Sequence, residues 1–367
     1  MNYDVNELSL EEKIGQMIII GLDTNITEKL LEKIINKYKV GGVLLYKKNY
    51  KNYEEMINLV NKIKELNSKN KIPIFISIDQ EGGRVNRIPN EFENLPGATK
   101  LVEKSVEEDL VKMSGEITGE MLNKLGIDMN FAPVLDIKRF KDTHAIGDRA
   151  YSNDVEKVSK YGIEYMKALQ ENNIISVVKH FPGHGATKED SHFKLPKINC
   201  DFEKLENEDM KPFKIAIENK VDGILIGHLK INKVTLNLPA SMSRRFITKY
   251  IRKKYRFNGL VISDDVRMKG VRIRYGKDNA VKKAFLACND IVIFKYDNDI
   301  SVIDKIVNLA KENKIEMKRI NSSVRRILKV KQKYNMNNDY IEKDDKFINK
   351  INEKIEYVRS RVLPFNS

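Results

Sequence analysis

Short, continuously apolar runs alternate along this chain with stretches whose apolar residues recur every three or four positions. The runs are "IGQMIIIG" (14–21), "GGVLLY" (41–46), "IPIFISID" (72–79), "IDMNFAPVLDI" (127–137), "IISVVKHF" (174–181), "DGILIGHL" (222–229), "GLVISDD" (259–265) and "DIVIFKY" (290–296). Most are apolar throughout rather than alternating, the pattern of strands covered on both faces. Helical spacing occupies 105–125, 154–172, 201–218, 243–255, 279–288 and 300–312. Strand–helix units in this number predict a parallel sheet, and eight strands close an α/β (β/α)8 TIM-like barrel. An open doubly wound sheet would carry a GxGxxG turn after its first strand, and none is present.

The barrel is expected to occupy residues 1–335. Beyond it, "NMNNDYIEKDDKFINKINEKIEYVRS" is polar, helical in pattern and without a core of its own. It reads as a C-terminal extension, 336–367, packed on the barrel. An apolar content of 41% and a charged content of 32% are ordinary for a soluble domain. No apolar run approaches the roughly 20 residues that span a bilayer, so no membrane association is expected. The stretch "MNYDVNELSLEEKIGQ" lacks a charged-then-apolar signal pattern, which sets a cytoplasmic expectation. The net charge of +14 comes from lysines scattered along helices, and no basic–aromatic module accompanies it. Nucleic acid is therefore not an expected partner. Cys200 and Cys288 lie far apart and form no CxxC, so neither a disulfide scaffold nor a zinc knuckle is indicated.

The chemistry is concentrated where the apolar runs end. Asp79 ends the third, Asp136 the fourth, Lys179 and His180 the fifth, His228 the sixth, and Asp264 with Asp265 the seventh. A buried strand has no structural use for such charges, and in barrels the strand C-termini surround one shared mouth. Three of the five histidines fall in "KHFPGHGATKEDSH" (179–192). His180, His184 and His192 could be read as metal ligands, but Pro182 and Gly183 break any helix that would put the first two on one face. No metal and no cofactor are expected. "FPGHG" lacks the Walker spacing of a phosphate loop. A purely structural loop is a further reading. In the remaining one, Asp190 orients His192 and fixes its tautomer, making an acid/base unit on a glycine-rich loop.

"IDQEGGRVNR" (78–87), "IGDRAY" (146–151), "KHFPGHGATKEDSH" (179–192) and "VISDDVRM" (261–268) resemble, in order, the signature segments of family 3 glycoside hydrolases. The subgroup is the single-domain bacterial β-N-acetylglucosaminidases, and the resemblance covers about residues 8–330. It implies a retaining mechanism with Asp264 as nucleophile and His192 as general acid/base, partnered by Asp190. It also implies that Asp79, Arg87, Arg149, Lys179 and His180 hold the sugar, with His228 assigned to the same substrate-binding group. The histidine departs from the usual pair of carboxylates in retaining hydrolysis.

The resemblance implies a carbohydrate partner, a terminal β-linked N-acetylglucosamine of a muropeptide or chitooligosaccharide. Alternatives are a phosphorylase of the same fold, since a histidine would not repel incoming phosphate, or a β-glucosidase. A non-catalytic sugar-binding relic is disfavoured by the intact Asp264, Asp190 and His192. "SDDVRMKGVRIRYG" departs from the family with Arg267, Lys269, Arg272 and Arg274, which read either as a solvated face or as contacts to an anionic aglycone.

Overall fold

In the computed structural model the apolar runs assemble into one parallel sheet of eight strands. The structure describes residues 3–24, 26–105, 109–140, 145–187, 189, 195–231 and 234–362. We label the barrel strands β1 (Ile18–Gly21), β2 (Gly42–Leu45), β3 (Phe75–Ile78), β4 (Met129–Asn130), β5 (Ile175–Phe181), β6 (Gly223–Ile226), β7 (Leu260–Ser263) and β8 (Val292–Lys295). Their order around the sheet is β8-β1-β2-β3-β4-β5-β6-β7. The two ends meet: Ser263 N–H donates to the Ile291 carbonyl at 3.0 Å and Val266 N–H to that of Ile293 at 3.1 Å. The sheet is therefore a nearly closed (β/α)8 barrel. Two further short strands, Lys197–Ile198 and Lys230–Ile231, pair beside its mouth.

The strands begin and end differently from the apolar runs. Residues 14–16 belong to the helix Leu10–Gln16 and not to the first strand. Ser9 and Glu12 form a capping box there, each side chain bonding the other's backbone N–H at 3.2 and 2.8 Å. That local signal starts a helix that runs into the front of the apolar run. The expected helix 201–218 is two, Phe202–Asn207 and Lys211–Glu218, the second with Pro212 in its first turn. Residues 247–254 wind as a wider π-type helix. Helices Tyr53–Asn67 and Met317–Lys333 were not among the expected segments, though both bury an amphipathic stripe. Helix Asp345–Val362 buries Phe347, Ile351, Ile355 and Val358 and packs on helices Ala98–Lys104 and Leu110–Lys124.

Helix Met317–Lys333 closes the barrel floor. Lys331 is fully buried and donates to the carbonyls of Gly41 (3.1 Å) and Pro73 (2.5 Å) and to Gln16 Oε1 (2.8 Å). Asp222, just before β6, accepts from Lys333 and from the Tyr334 hydroxyl, both at 2.6 Å. Asp290, before β8, takes Arg326 at 2.9 Å, Ser323 at 2.8 Å and also Arg252. Among the described residues no helix is long and apolar enough to cross a membrane.

Candidate active site

The opposite end of the barrel carries the polar strand ends. Lys179, on β5, places its buried ammonium 2.6 Å from Asp79 Oδ1, just past β3, and 2.6 Å from Glu81 Oε1. Glu81 in turn makes a two-point ion pair with Arg149, both contacts at 2.7 Å. Arg149 also donates to the Ala145 carbonyl at 2.8 Å. Burial would raise the Glu81 pKa, but Arg149 and Lys179 outweigh it and hold the carboxyl far below the ordinary range. Glu81 was not singled out in the sequence, because it stands past the strand end in a glycine-rich turn. The signal was the pair of buried cations, which require a counter-charge.

A second chain runs through Asp136, which is wholly buried. Its Oδ2 lies 2.7 Å from His180 Nδ1, and its Oδ1 accepts the His184 backbone N–H at 2.6 Å. Burial opposes its ionisation, yet His180 prevails and keeps its pKa below the usual value. With Nδ1 donating to the carboxylate, Nε2 is the ring atom of His180 that can meet a sugar hydroxyl. Burial pulls the His184 pKa down, and its ring packs edge-on against His180 with centroids 5.9 Å apart. The glycines of "PGHG" are dictated by space. Gly183 has φ of +119°, and a Cβ on Gly185 would lie 1.9 Å from the Ile137 carbonyl oxygen.

Asp264 follows β7 and is aimed by its own backbone. Its N–H donates to the Ile226 carbonyl at 3.0 Å, and its Oδ1 accepts the Asp265 N–H at 2.8 Å. Asp79, Arg87, Lys179, His180 and Asp264 all line one cavity of about 510 Å³. The same five also line an adjoining chamber of about 390 Å³, to which Glu81, Arg149 and His184 contribute. Arg87 is held by its backbone, its N–H donating to Gln80 Oε1 at 2.7 Å. Among the described residues its guanidinium has no ion-pair partner, which leaves a cation facing the cavity.

The sequence-expected site residues thus divide. Asp79, Arg87, Arg149, Lys179, His180 and Asp264 converge. His228 does not: it is fully buried, 0% exposed, with Nδ1 2.7 Å from Ser241 Oγ and Nε2 2.9 Å from the Asp265 carbonyl. Its ring faces protein and not the cavity, because the turn after β7 lies over it. His192 and Asp190 lie outside the described residues. Arg267 is neither solvated nor turned to a ligand. It is buried, pairs with Asp297, donates to the carbonyls of Lys295 and Asp299, and lies over Phe294. Lys269, Arg272 and Arg274 are exposed, as a solvated face would be. Among the described residues no three His, Cys, Asp or Glu side chains are grouped to hold a metal ion.

A carboxylate at a strand end, fixed cations and a histidine around one cavity can hold a polyol and attack an electrophilic carbon. Residues 9–330 match the family described as "Glycosyl hydrolase family 3 N terminal domain". "Beta-hexosaminidase A" of Pseudoalteromonas piscicida is 31% identical over 329 residues, covering 83% of this chain and 55% of that protein. "Beta-hexosaminidase" of Tolumonas auensis is 33% identical over 267 residues, covering 70% of this chain and 78% of that protein. The solved structure of a glycoside hydrolase family 3 beta-N-acetylglucosaminidase from Paenibacillus sp. str. FPU-7 is similar with a TM-score of 0.88 at 29% identity. That likeness covers 97% of this chain and 69% of the other. The chain spans little more than half the length of the Pseudoalteromonas relative.

Proposed function

This chain belongs to glycosyl hydrolase family 3, and from that membership we propose that it is a retaining exo-β-N-acetylglucosaminidase. The substrate in this proposal is a terminal β-linked N-acetylglucosamine of a muropeptide or chitooligosaccharide, met in the cytoplasm. The observation that carries it is the convergence of Asp264, Asp79, Lys179, His180 and Arg87 on one cavity at the strand C-termini. The names of the bacterial relatives support the sugar.

In the proposed reaction Asp264 attacks the anomeric carbon while His192, oriented by Asp190, gives its proton to the departing glycosidic oxygen. A glycosyl-aspartate results. His192 then takes a proton from water, which displaces Asp264 and releases the sugar with retained configuration. Asp79 accepts from a sugar hydroxyl, while Lys179 and Arg87 donate to others. Arg149 acts one step back, fixing Glu81 and through it Lys179.

An assay of aryl β-N-acetylglucosaminide against aryl β-glucoside, each with and without phosphate, tests this. Release of free N-acetylglucosamine, independent of phosphate, is expected. Preference for the glucoside, or N-acetylglucosamine 1-phosphate as product, would contradict it. In His192→Ala, cleavage of an activated aryl glycoside should persist in part, since such a leaving group needs no proton, and azide should restore turnover by roughly 10²-fold or more.

A further inference from the structure

His228 is the one expected site residue that the described structure turns away from the cavity. We propose that His228, held by Ser241, is a positioning residue for Asp264. The proposal rests on Asp264 being the nucleophile. A carbonyl oxygen only accepts, so His228 Nε2, 2.9 Å from the Asp265 oxygen, must carry its hydrogen. Ser241 Oγ, 2.7 Å from Nδ1, engages the other ring nitrogen, and both residues are fully buried. The imidazole is thus fixed in plane and tautomer.

What it grips is the turn that carries Asp264. The Asp265 carbonyl also accepts the Met268 N–H at 3.0 Å, which closes the turn 265–268. Asp265 Oδ1 accepts the N–H of Arg267 at 2.9 Å and of Lys295 at 3.1 Å. The Asp265 N–H is then left to orient Asp264 by donating to its Oδ1 at 2.8 Å. From the other side the Asp264 N–H is tied to Ile226, the last residue of β6, two positions before His228. One strand and its extension therefore hold both sides of the nucleophile. Met268, at the end of the turn, lines both chambers. Because the Asp265 carbonyl already has the Met268 N–H, His228 is not needed merely to satisfy a buried acceptor. Its hydrogen bond adds direction. A displacement of the order of 1 Å at a reacting group costs about 10²-fold in rate.

The test is single-turnover and steady-state kinetics on an activated aryl β-N-acetylglucosaminide, with thermal melting beside them. His228→Leu is expected to keep KM within about twofold and to lower the glycosyl-transfer rate by about 10- to 100-fold. His228→Gln, whose amide N–H reaches the same carbonyl, should recover most of that loss. Ser241→Ala, which releases Nδ1 and loosens the ring's orientation, should cost about 2- to 5-fold by the same reasoning. A wild-type rate in His228→Leu overturns the proposal. So does an equal loss in the Leu and Gln variants. If His228→Leu does not fold, a wild-type rate in Ser241→Ala overturns it instead. Asp264→Ala separates the two levels. Turnover surviving there removes the nucleophile and this proposal together, whereas a dead Asp264→Ala beside an unimpaired His228→Leu removes this proposal alone.

Discussion

The two ends of the barrel bury charge equally well and use it differently. At the floor, Lys331, Asp222 and Asp290 meet the strand N-termini and the helix Met317–Lys333, and their hydrogen bonds go to protein. At the mouth, Lys179, Asp79, His180 and Asp264 are anchored on one side and border a cavity of about 510 Å³ on the other. Displaced pKa values occur at both ends. Burial pulls the Lys331 ammonium down to about 7 and pushes the nearby Asp128 carboxyl up to about 6, and at the mouth burial also pushes Asp265 up to about 6. A shifted pKa therefore does not identify a catalytic group in this protein. Access to a cavity, and a cation such as Arg87 with no ion-pair partner among the described residues, separate chemistry from architecture.

The sharpest way to break this contrast is at Asp264. Asp264→Ala is expected to lower turnover at least about 10⁴-fold with an unchanged melting temperature, since in the proposed mechanism its carboxylate serves the reaction and not the core. Lys179→Met should lose activity and stability together. It strips the cation from Asp79 and Glu81, and breaking a buried pair costs about 3–5 kcal/mol in urea unfolding. Arg87→Met should reduce kcat/KM by about 10²-fold, as loss of a substrate-holding cation would. Its stability should stay within about 0.5 kcal/mol of wild type.

The floor gives the converse and the smallest effect on catalysis. Lys331→Met should leave kcat of the folded enzyme unchanged. The folded pKa of Lys331, about 7, lies below that of a lysine in the unfolded chain. Its burial penalty is therefore fully present below pH 7 and fades as pH rises toward the unfolded value. Wild type should gain about 2 kcal/mol relative to Lys331→Met between pH 7 and pH 9 in urea titrations. A flat difference would mean that the folded protein holds the Lys331 proton as tightly as the unfolded chain does, so that burial does not lower its pKa.

Much of this layout was legible in the sequence. The apolar runs locate all eight strands, because strands covered on both faces leave no alternation to confuse, and the charges that end them mark the mouth. Strand limits were less legible. Residues 14–16, Ile-Gly-Gln, adjoin the apolar run and read as part of it, yet the capping box of Ser9 and Glu12 commits them to a helix. Glu81 escaped notice because its role depends on Lys179 and Arg149, which are distant in sequence and adjacent only in the fold. His228 marked the right strand end but not the direction of its ring, which Ser241 and the Asp265 carbonyl decide. Between Asp264 and Asp265, apolar pattern offers no choice. The structure separates them, since Asp265 Oδ1 is taken by two backbone N–H groups and Asp265 lines only the larger chamber, whereas Asp264 lines both.

The central claim is that Asp264 carries the sugar. It is tested most directly by treating the enzyme with a 5-fluoro N-acetylglucosaminyl donor, which slows release of the glycosyl-enzyme, and locating the adduct by peptide mass spectrometry. A single adduct on the peptide containing Asp264, absent in Asp264→Ala, is the predicted result. An adduct on Asp79 or Asp265, or complete turnover of a slow substrate with no covalent species at any time, would contradict the account.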